Sequence, residues 1–225
     1  MASFRTHFSS GIVLGVLGIF LMLGFGIAGG AGFFAALFIA ATAGALAPDM
    51  DSDSGVPFHV VFGSLSAILG SVAILVAIRE YGSDIRFIIG LPFAAIVLVW
   101  GVLGTLFKRF TRHRGMAHSI PAAILAGLTS FSLAGMGRFD EWTAFLIGLA
   151  SLMGYLLHLV LDEIYAAVNF HGTPFVPNKA FGSALKFTSH DRGITIALYG
   201  CIVFLLMGNI SRFESLFIRL LGFFQ

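Results

Sequence analysis

Charged residues are scarce in this sequence, and three long runs contain none at all. Charged residues make up 11% of the chain, and residues 11–48, 56–78 and 87–107 contain none. Helices of a soluble protein carry polar stripes on their solvent-facing sides, and these runs show no such stripes. Because apolar runs of 18 or more residues are typical of membrane-spanning helices, the sequence excludes a soluble globular domain.

Cysteine is equally scarce. The chain has one, Cys201, inside an apolar run, which excludes a disulfide framework and a thiolate metal site. A net charge of +2 gives no indication of a nucleic-acid partner. The apolar stretch at the N-terminus is far longer than the apolar core of a signal peptide, so we expect it to be retained.

The apolar runs predict an all-α, polytopic membrane helical bundle with about seven transmembrane helices, formed by residues 1–225 as a single domain. The first run is too long for one span, and its "GIAGGAG" segment favours a turn, whereas an undivided run would leave six spans. The charges of the tail "NISRFESLFIRLLGFF" alternate with Phe and Leu, which predicts a C-terminal interfacial helix. The predicted spans are 11–28, 32–47, 57–78, 87–107, 119–136, 142–166 and 193–209.

Seven spans place the N-terminus and the loops at 48–56, 108–118 and 167–192 on one face of the membrane. This face carries eight of the 13 Lys and Arg residues, so the positive-inside rule predicts that it is cytoplasmic.

The same face collects nearly every side chain suited to bind a metal ion. Six of the seven histidines belong to its helix ends and loops, and His59 lies in the first turn of the third span. Histidine and carboxylate are ligands for zinc and for harder divalent cations, and four separate segments contribute them. We therefore predict a shared metal site. The candidates are His7, Asp49, Asp51, Asp53, His113, His118, His158 and Asp162. The same face also carries His171, His190 and Asp191, to which the sequence assigns no role.

The segment "HLVLD" places His158 and Asp162 four residues apart, on one side of a helix. Two ligands of one ion fit this spacing, and so does a His–Asp hydrogen-bonded pair that ties two helices together. A charged group at the centre of a membrane helix costs about 2.5–3.5 kcal/mol on insertion scales, so Asp162 needs a partner in either case.

The segment "RHRGMAHS", residues 112–119, is the most polar part of the predicted site. Gly115 allows a bend that turns both of its histidines inward. Ser119 is a suitable N-cap, and Pro121 follows in the first turn, so we expect free backbone N–H groups beside the histidines. Arg112 and Arg114 carry guanidinium groups suited to phosphate or carboxylate. Together these features predict a site for a phosphoryl group.

Four motifs occur in the order found in the YdjM-like family of bacterial and archaeal inner-membrane proteins, which are described as membrane-bound metal-dependent hydrolases. They are "TH" at 6–7, "PDMD" at 48–51, "HRGMAHS" at 113–119 and "GYLLHLVLD" at 154–162. The chain resembles this family over residues 5–165. The resemblance implies metal ligands at His7, Asp49, Asp51, His113, His118, His158 and Asp162.

The predicted function is hydrolysis of an amphiphilic, lipid-linked phosphate at the cytoplasmic face of the inner membrane, with a membrane lipid or lipid-linked molecule as substrate. One or two divalent ions would serve, with zinc as first choice and manganese or iron as alternatives. His118 is assigned as a ligand or as a proton donor, and Arg114 as the residue that stabilises the developing charge. The side chains assigned to substrate binding are Arg112, Arg114, Lys186 and Arg192.

Two other functions fit the same residues. A metal-ion or solute transporter would bind its cargo with them, although transporters place such residues near the midplane of the membrane. A membrane scaffold would use them to close the shell of a structural metal. The sequence does not distinguish a closed shell from a site with an open position.

Overall fold

The computed structural model describes residues 2–27, 29–51, 56–105, 117–137, 139–167, 182, 185–188 and 191–222. All regular elements within these residues are helical. The described residues form eight α-helices: α1 (Phe4–Gly24), α2 (Ala31–Leu46), α3 (Val56–Tyr81), α4 (Ile85–Val97), α5 (Ile120–Met136), α6 (Glu141–Ala167), α7 (Arg192–Gly208) and α8 (Ile210–Gly222). A 3-10 turn, Ala47–Asp51, follows α2, and a π-helical segment, Leu98–Gly104, continues α4.

Each of the seven predicted helices has a counterpart, so the all-α fold class is confirmed. The first apolar run divides into α1 and α2 as expected, and Gly26 has a φ of +69° in the turn between them. Glycine adopts such left-handed backbone conformations without the steric cost that other residues incur.

Five helical segments are long and apolar enough to cross a membrane. They are Phe4–Gly24, Ala31–Met50, Val61–Tyr81, Ile85–Gly104 and Glu141–Ala167. The helices α7 and α8 meet this criterion only as a pair, bent by 63°, and α5 is a shorter apolar helix of 17 residues. By length and composition, the described helices thus give five or six membrane spans. The remaining helix of the predicted seven is α5, which is shorter than the spans. The predicted interfacial helix corresponds to α8, whose place at the interface stays a prediction.

The chain divides into two compact units, one comprising Met1–Pro48 with Gly115–Gln225 and the other Asp49–Arg114. In the second unit, α3 packs along α4. The rings of Phe58 and Phe62 stack at 4.4 Å between centroids and are buried with Val99. Organisation as a single domain stays a prediction.

In the first unit, α6 is the central helix. It packs against α2 on one side and α5 on the other, and α1 packs on α2. Its buried residues include Ala144, Ile147, Leu159 and Asp162. Side chains from α1, α2 and α5 can therefore meet α6 at the same level of the bundle.

Glycines bring α2 and α6 into backbone contact. A Cβ atom on Gly154 would lie 2.1 Å from the carbonyl oxygen of Ala41, and one on Gly44 would lie 2.2 Å from the carbonyl oxygen of Ser151. Small residues at such crossings let membrane helices approach closely. One turn beyond Gly154, this approach places His158 beside the backbone of α2.

Candidate metal centre

Four ionisable side chains from three segments of the first unit meet at one point. His7 comes from α1, His118 lies two residues before α5 begins, and His158 and Asp162 come from α6. Their exposed fractions are 1%, 5%, 0% and 4% respectively. Such complete burial of four titratable groups requires strong mutual compensation or a ligand.

The Asp162 carboxylate is the common neighbour of the three histidines. Its Oδ1 lies 3.3 Å from His7 Nε2, and its Oδ2 lies 3.7 Å from His118 Nε2 and 3.8 Å from His158 Nε2. The rings of His7 and His158 stack with centroids 3.6 Å apart and planes inclined by 14°. Ligand atoms of His7, His158 and Asp162 all lie within 4.8 Å of one another, which is compatible with binding one metal ion.

A backbone carbonyl fixes the tautomer of His158. Its Nδ1 lies 2.7 Å from the carbonyl oxygen of Ala45; since a carbonyl oxygen only accepts, Nδ1 carries the proton and donates it. In the neutral ring, Nε2 then holds a lone pair directed to the Asp162 side. Metal-binding histidines commonly show this arrangement, in which the second ring nitrogen donates to a carbonyl or carboxylate.

The spacing of His158 and Asp162 had two interpretations, and the distances separate them. At 3.8 Å, His158 Nε2 and Asp162 Oδ2 are too far apart for a hydrogen bond. The two side chains face the same point without forming the hydrogen-bonded pair that the spacing also allowed.

Some polar atoms of His7 and Asp162 lack hydrogen-bond partners within the part of the chain that the structure describes. Asp162 Oδ1 accepts a hydrogen bond of 3.0 Å from the backbone N–H of Ala2. Within the described residues, Asp162 Oδ2 and both ring nitrogens of His7 are buried and have none. Buried polar atoms without partners are rare and destabilising. The donor set of imidazole nitrogens and a carboxylate fits a divalent metal, which could bind these atoms.

His118 is held in place through its neighbours in sequence. The hydroxyl of Tyr155 on α6 donates a hydrogen bond to the carbonyl oxygen of Ala117. Ser119 caps α5 by accepting from the N–H of Ala122 at 3.3 Å, and its backbone pairs with Lys186. Sequence reasoning missed Tyr155, although it lies three residues before His158 and thus on the same side of α6.

The expected free N–H groups at the start of α5 are not there, so this prediction was wrong. The N–H of Ile120 donates to the carbonyl oxygen of Lys186 at 3.1 Å, and that of Ala122 donates to Ser119 Oγ. Pro121 has no N–H. The first turn of α5 therefore offers no unused N–H group to an anion.

Replacement of Tyr155 by phenylalanine should loosen His118 without filling or emptying the core. Loss of the hydroxyl leaves the Ala117 carbonyl without this donor, which costs about 1–3 kcal/mol, and metal affinity should fall about tenfold. Thermal unfolding and metal titration of the purified variant measure both effects. Tyr199→Phe is the matched control, because the Tyr199 hydroxyl donates to the exposed Phe187 carbonyl; equal effects of the two variants would contradict the assignment.

The structure places the other predicted residues as follows. Asp49 is half-buried in the 3-10 turn Ala47–Asp51, and the backbone of Asp51 ends that turn. The backbone of Lys186 lies beside Ser119, next to His118, whereas Arg192 is exposed at the start of α7. His59 is exposed and its ring lies 5.6 Å from that of Trp100. Outside the described residues lie Asp53, Arg112, His113, Arg114, His171 and His190.

Apolar helices of spanning length, packed around three buried histidines and a carboxylate, define a polytopic membrane protein with a candidate metal centre. The chain belongs to the YdjM inner membrane protein family, whose family model matches residues 1–224. Comparisons with curated proteins and with solved structures return no match. The resemblance noted from the four motifs is thereby confirmed, as is integral inner-membrane location, while the side of the membrane on which the cluster lies stays a prediction.

Proposed function

We propose that this protein is a membrane-bound metal-dependent hydrolase, a phosphoesterase that acts on an amphiphilic, lipid-linked phosphate at the cytoplasmic face. The observation that supports it is the burial of His7, His118, His158 and Asp162 together, with unsatisfied atoms on His7 and Asp162. Apolar helices do not retain four such groups without a compensating interaction.

His7, His158 and Asp162 would hold the ion, with zinc as first choice and manganese or iron as alternatives. A bound divalent metal would lower the pKa of a water molecule and polarise a phosphoryl oxygen. The Ala45 carbonyl keeps His158 in the ligating tautomer, and the Ala2 N–H holds the Asp162 carboxylate in position. Asp49, Asp51 and His113 are proposed as further ligands from the family resemblance, and a second ion is part of this proposal.

His118 has two proposed roles that an experiment separates. It would serve as a further ligand or as the proton donor to the leaving group. Positive charge for the phosphate would come from Arg112, Arg114, Lys186 and Arg192, because the N–H groups of the first turn of α5 are already used.

The function is tested by metal removal and restoration. Protein purified in detergent is expected to contain one or two equivalents of divalent metal and to release inorganic phosphate from phosphatidic acid or a polyprenyl phosphate. Chelation should abolish phosphate release, and added zinc should restore it. In His118→Ala, loss of metal identifies a ligand, whereas retained metal with phosphate release lowered about 100-fold identifies a proton donor.

Two outcomes would overturn the proposal in favour of another class. Stoichiometric metal without phosphate release from either lipid class would indicate a structural metal. Metal flux into proteoliposomes that His158→Ala abolishes would indicate a transporter.

A further inference from the structure

An apolar groove lies in the seam between α5 and α6, below the histidine cluster. It has a volume of about 130 Å³, and its lining includes Ile124 and Leu128 of α5 and Leu152 of α6. Ile124 is exposed at its mouth, with 39% of its surface accessible.

The groove is aligned with the metal centre. The helices α5 and α6 run antiparallel, since Tyr155 contacts Ala117 while Gly148 contacts Gly127. Ile124 follows His118 by six residues and Leu152 precedes His158 by six, so the near end of the groove lies about 9 Å along the helices from the histidines. The groove and the cluster therefore lie along the same seam, and the core residues Ala123 and Leu159 pack between them.

The helix α8 closes the other end. Phe213 of α8 lines the groove and stacks on Phe131 of α5 at 4.9 Å between ring centroids. Leu216 is buried beside them, and Arg219 Nη1 lies 3.9 Å from Asp140 Oδ2 in the turn between α5 and α6. From Ile124 to Phe131 the groove measures about 10 Å along α5.

We infer that this groove binds one hydrocarbon chain of the substrate whose phosphate lies at the histidine cluster, and that Phe213 limits the length of chain that fits. The inference rests on the proposed function for the position of the head group. An apolar cleft that begins about 9 Å from a polar centre and is closed at its far end by Phe213 matches an amphiphile with a single anchored chain. A soluble phosphate ester gains nothing from it.

The test uses a hexadecyl phosphate that carries a diazirine in the outer half of its chain, because the inner half spans the distance from the cluster to the groove. Purified, zinc-loaded protein is photolabelled and the adducts are mapped by mass spectrometry. We expect adducts on the groove residues of α5 and α6. Unlabelled hexadecyl phosphate should compete at least tenfold better than butyl phosphate, since burial of each methylene is worth about fourfold in affinity.

Leu128→Trp fills the groove and should lower labelling at least fivefold. Leu133→Trp is the matched control, because Leu133 lies on the same helix, is 61% exposed and does not line the groove. Leu149→Trp, at the groove mouth, replaces Leu128→Trp if the latter does not elute as folded protein in gel filtration. Adducts spread over the lipid-facing sides of α3 and α7 and unchanged by either groove variant would overturn the inference.

Failure of the inference and failure of the proposed function give different results. Metal-dependent phosphate release with equal efficiency from butyl and hexadecyl phosphate, without groove adducts, overturns the groove as a chain site and leaves the hydrolase intact. Groove adducts in protein that neither holds metal nor releases phosphate support the hydrocarbon site and overturn the hydrolase.

Discussion

Asp162→Asn is expected to strip the centre of its metal. The carboxylate faces all three histidines of the cluster, and asparagine keeps its shape and one acceptor for the Ala2 N–H while losing the charge. Loss of an outer-shell partner typically costs 10–100-fold in metal affinity, so loss of this ligand should cost at least about 100-fold. Elemental analysis after dialysis against a weak chelator measures the metal content, and phosphate release should fall in parallel.

Glu163→Gln provides the control for this variant. Glu163 is adjacent on α6 and undergoes the same change from carboxylate to amide, and its carboxylate accepts from the N–H of Gly182, which a glutamine oxygen can still do. Metal content and activity should stay within about twofold of the unaltered protein. A full complement of metal in Asp162→Asn would contradict the assigned ligand set.

Gly154→Ala should have the largest effect on the bundle itself. A Cβ atom at this position lies 2.1 Å from the carbonyl oxygen of Ala41, which is backbone and cannot rotate away. The helix α2 must therefore shift from α6, with a loss of about 1–3 kcal/mol or more. The shift separates the Ala45 carbonyl from His158, so metal affinity should fall about 10–100-fold as well. Thermal unfolding in detergent and metal titration report the two losses.

The same substitution at Gly200 should raise the free energy of unfolding instead of lowering it. Nothing lies within 4 Å of a Cβ atom on Gly200 in α7, so Gly200→Ala gains the helix propensity of alanine, up to about 1 kcal/mol. Equal unfolding temperatures for the two alanine variants would contradict the predicted cost of separating α2 from α6.

The helices were predictable from the sequence because membrane spans depend on local composition. Uncharged runs are long enough to locate α2, α3, α6 and α4 with its π-helical continuation to within about three residues, and "GIAGGAG" locates the first turn. The start of α1 was predicted at residue 11, whereas the helix begins at Phe4. The angle of the bend between α7 and α8 could not be predicted from the sequence. Asn209 at this bend donates to Ser132 Oγ and to the Leu205 carbonyl, and the contact with Ser132 depends on how α5 packs.

The ionisable residues of the candidate site could be predicted from the sequence. The groups that hold these residues in position could not. His7, His118, His158 and Asp162 stood out because histidine and carboxylate are rare in apolar helices. Tyr155, the Ala45 carbonyl and the glycine contacts are ordinary in a membrane sequence and gain their roles only through packing. The prediction of free N–H groups at the start of α5 was wrong for the same reason. The partner of the Ile120 N–H is the carbonyl of Lys186, which lies 66 residues further along the chain.

The hydrogen bond between Ala2 and Asp162 has a consequence for the time course of synthesis. The two residues are 160 positions apart, so at 5–20 residues per second a ribosome needs roughly 8 to 32 s to connect them. During that interval the hairpin of α1 and α2 exists with His7 but without the helix that compensates it. Nascent protein arrested before α6 should therefore leave this hairpin exposed to membrane proteases, and the release of α6 from the insertion machinery should end that exposure.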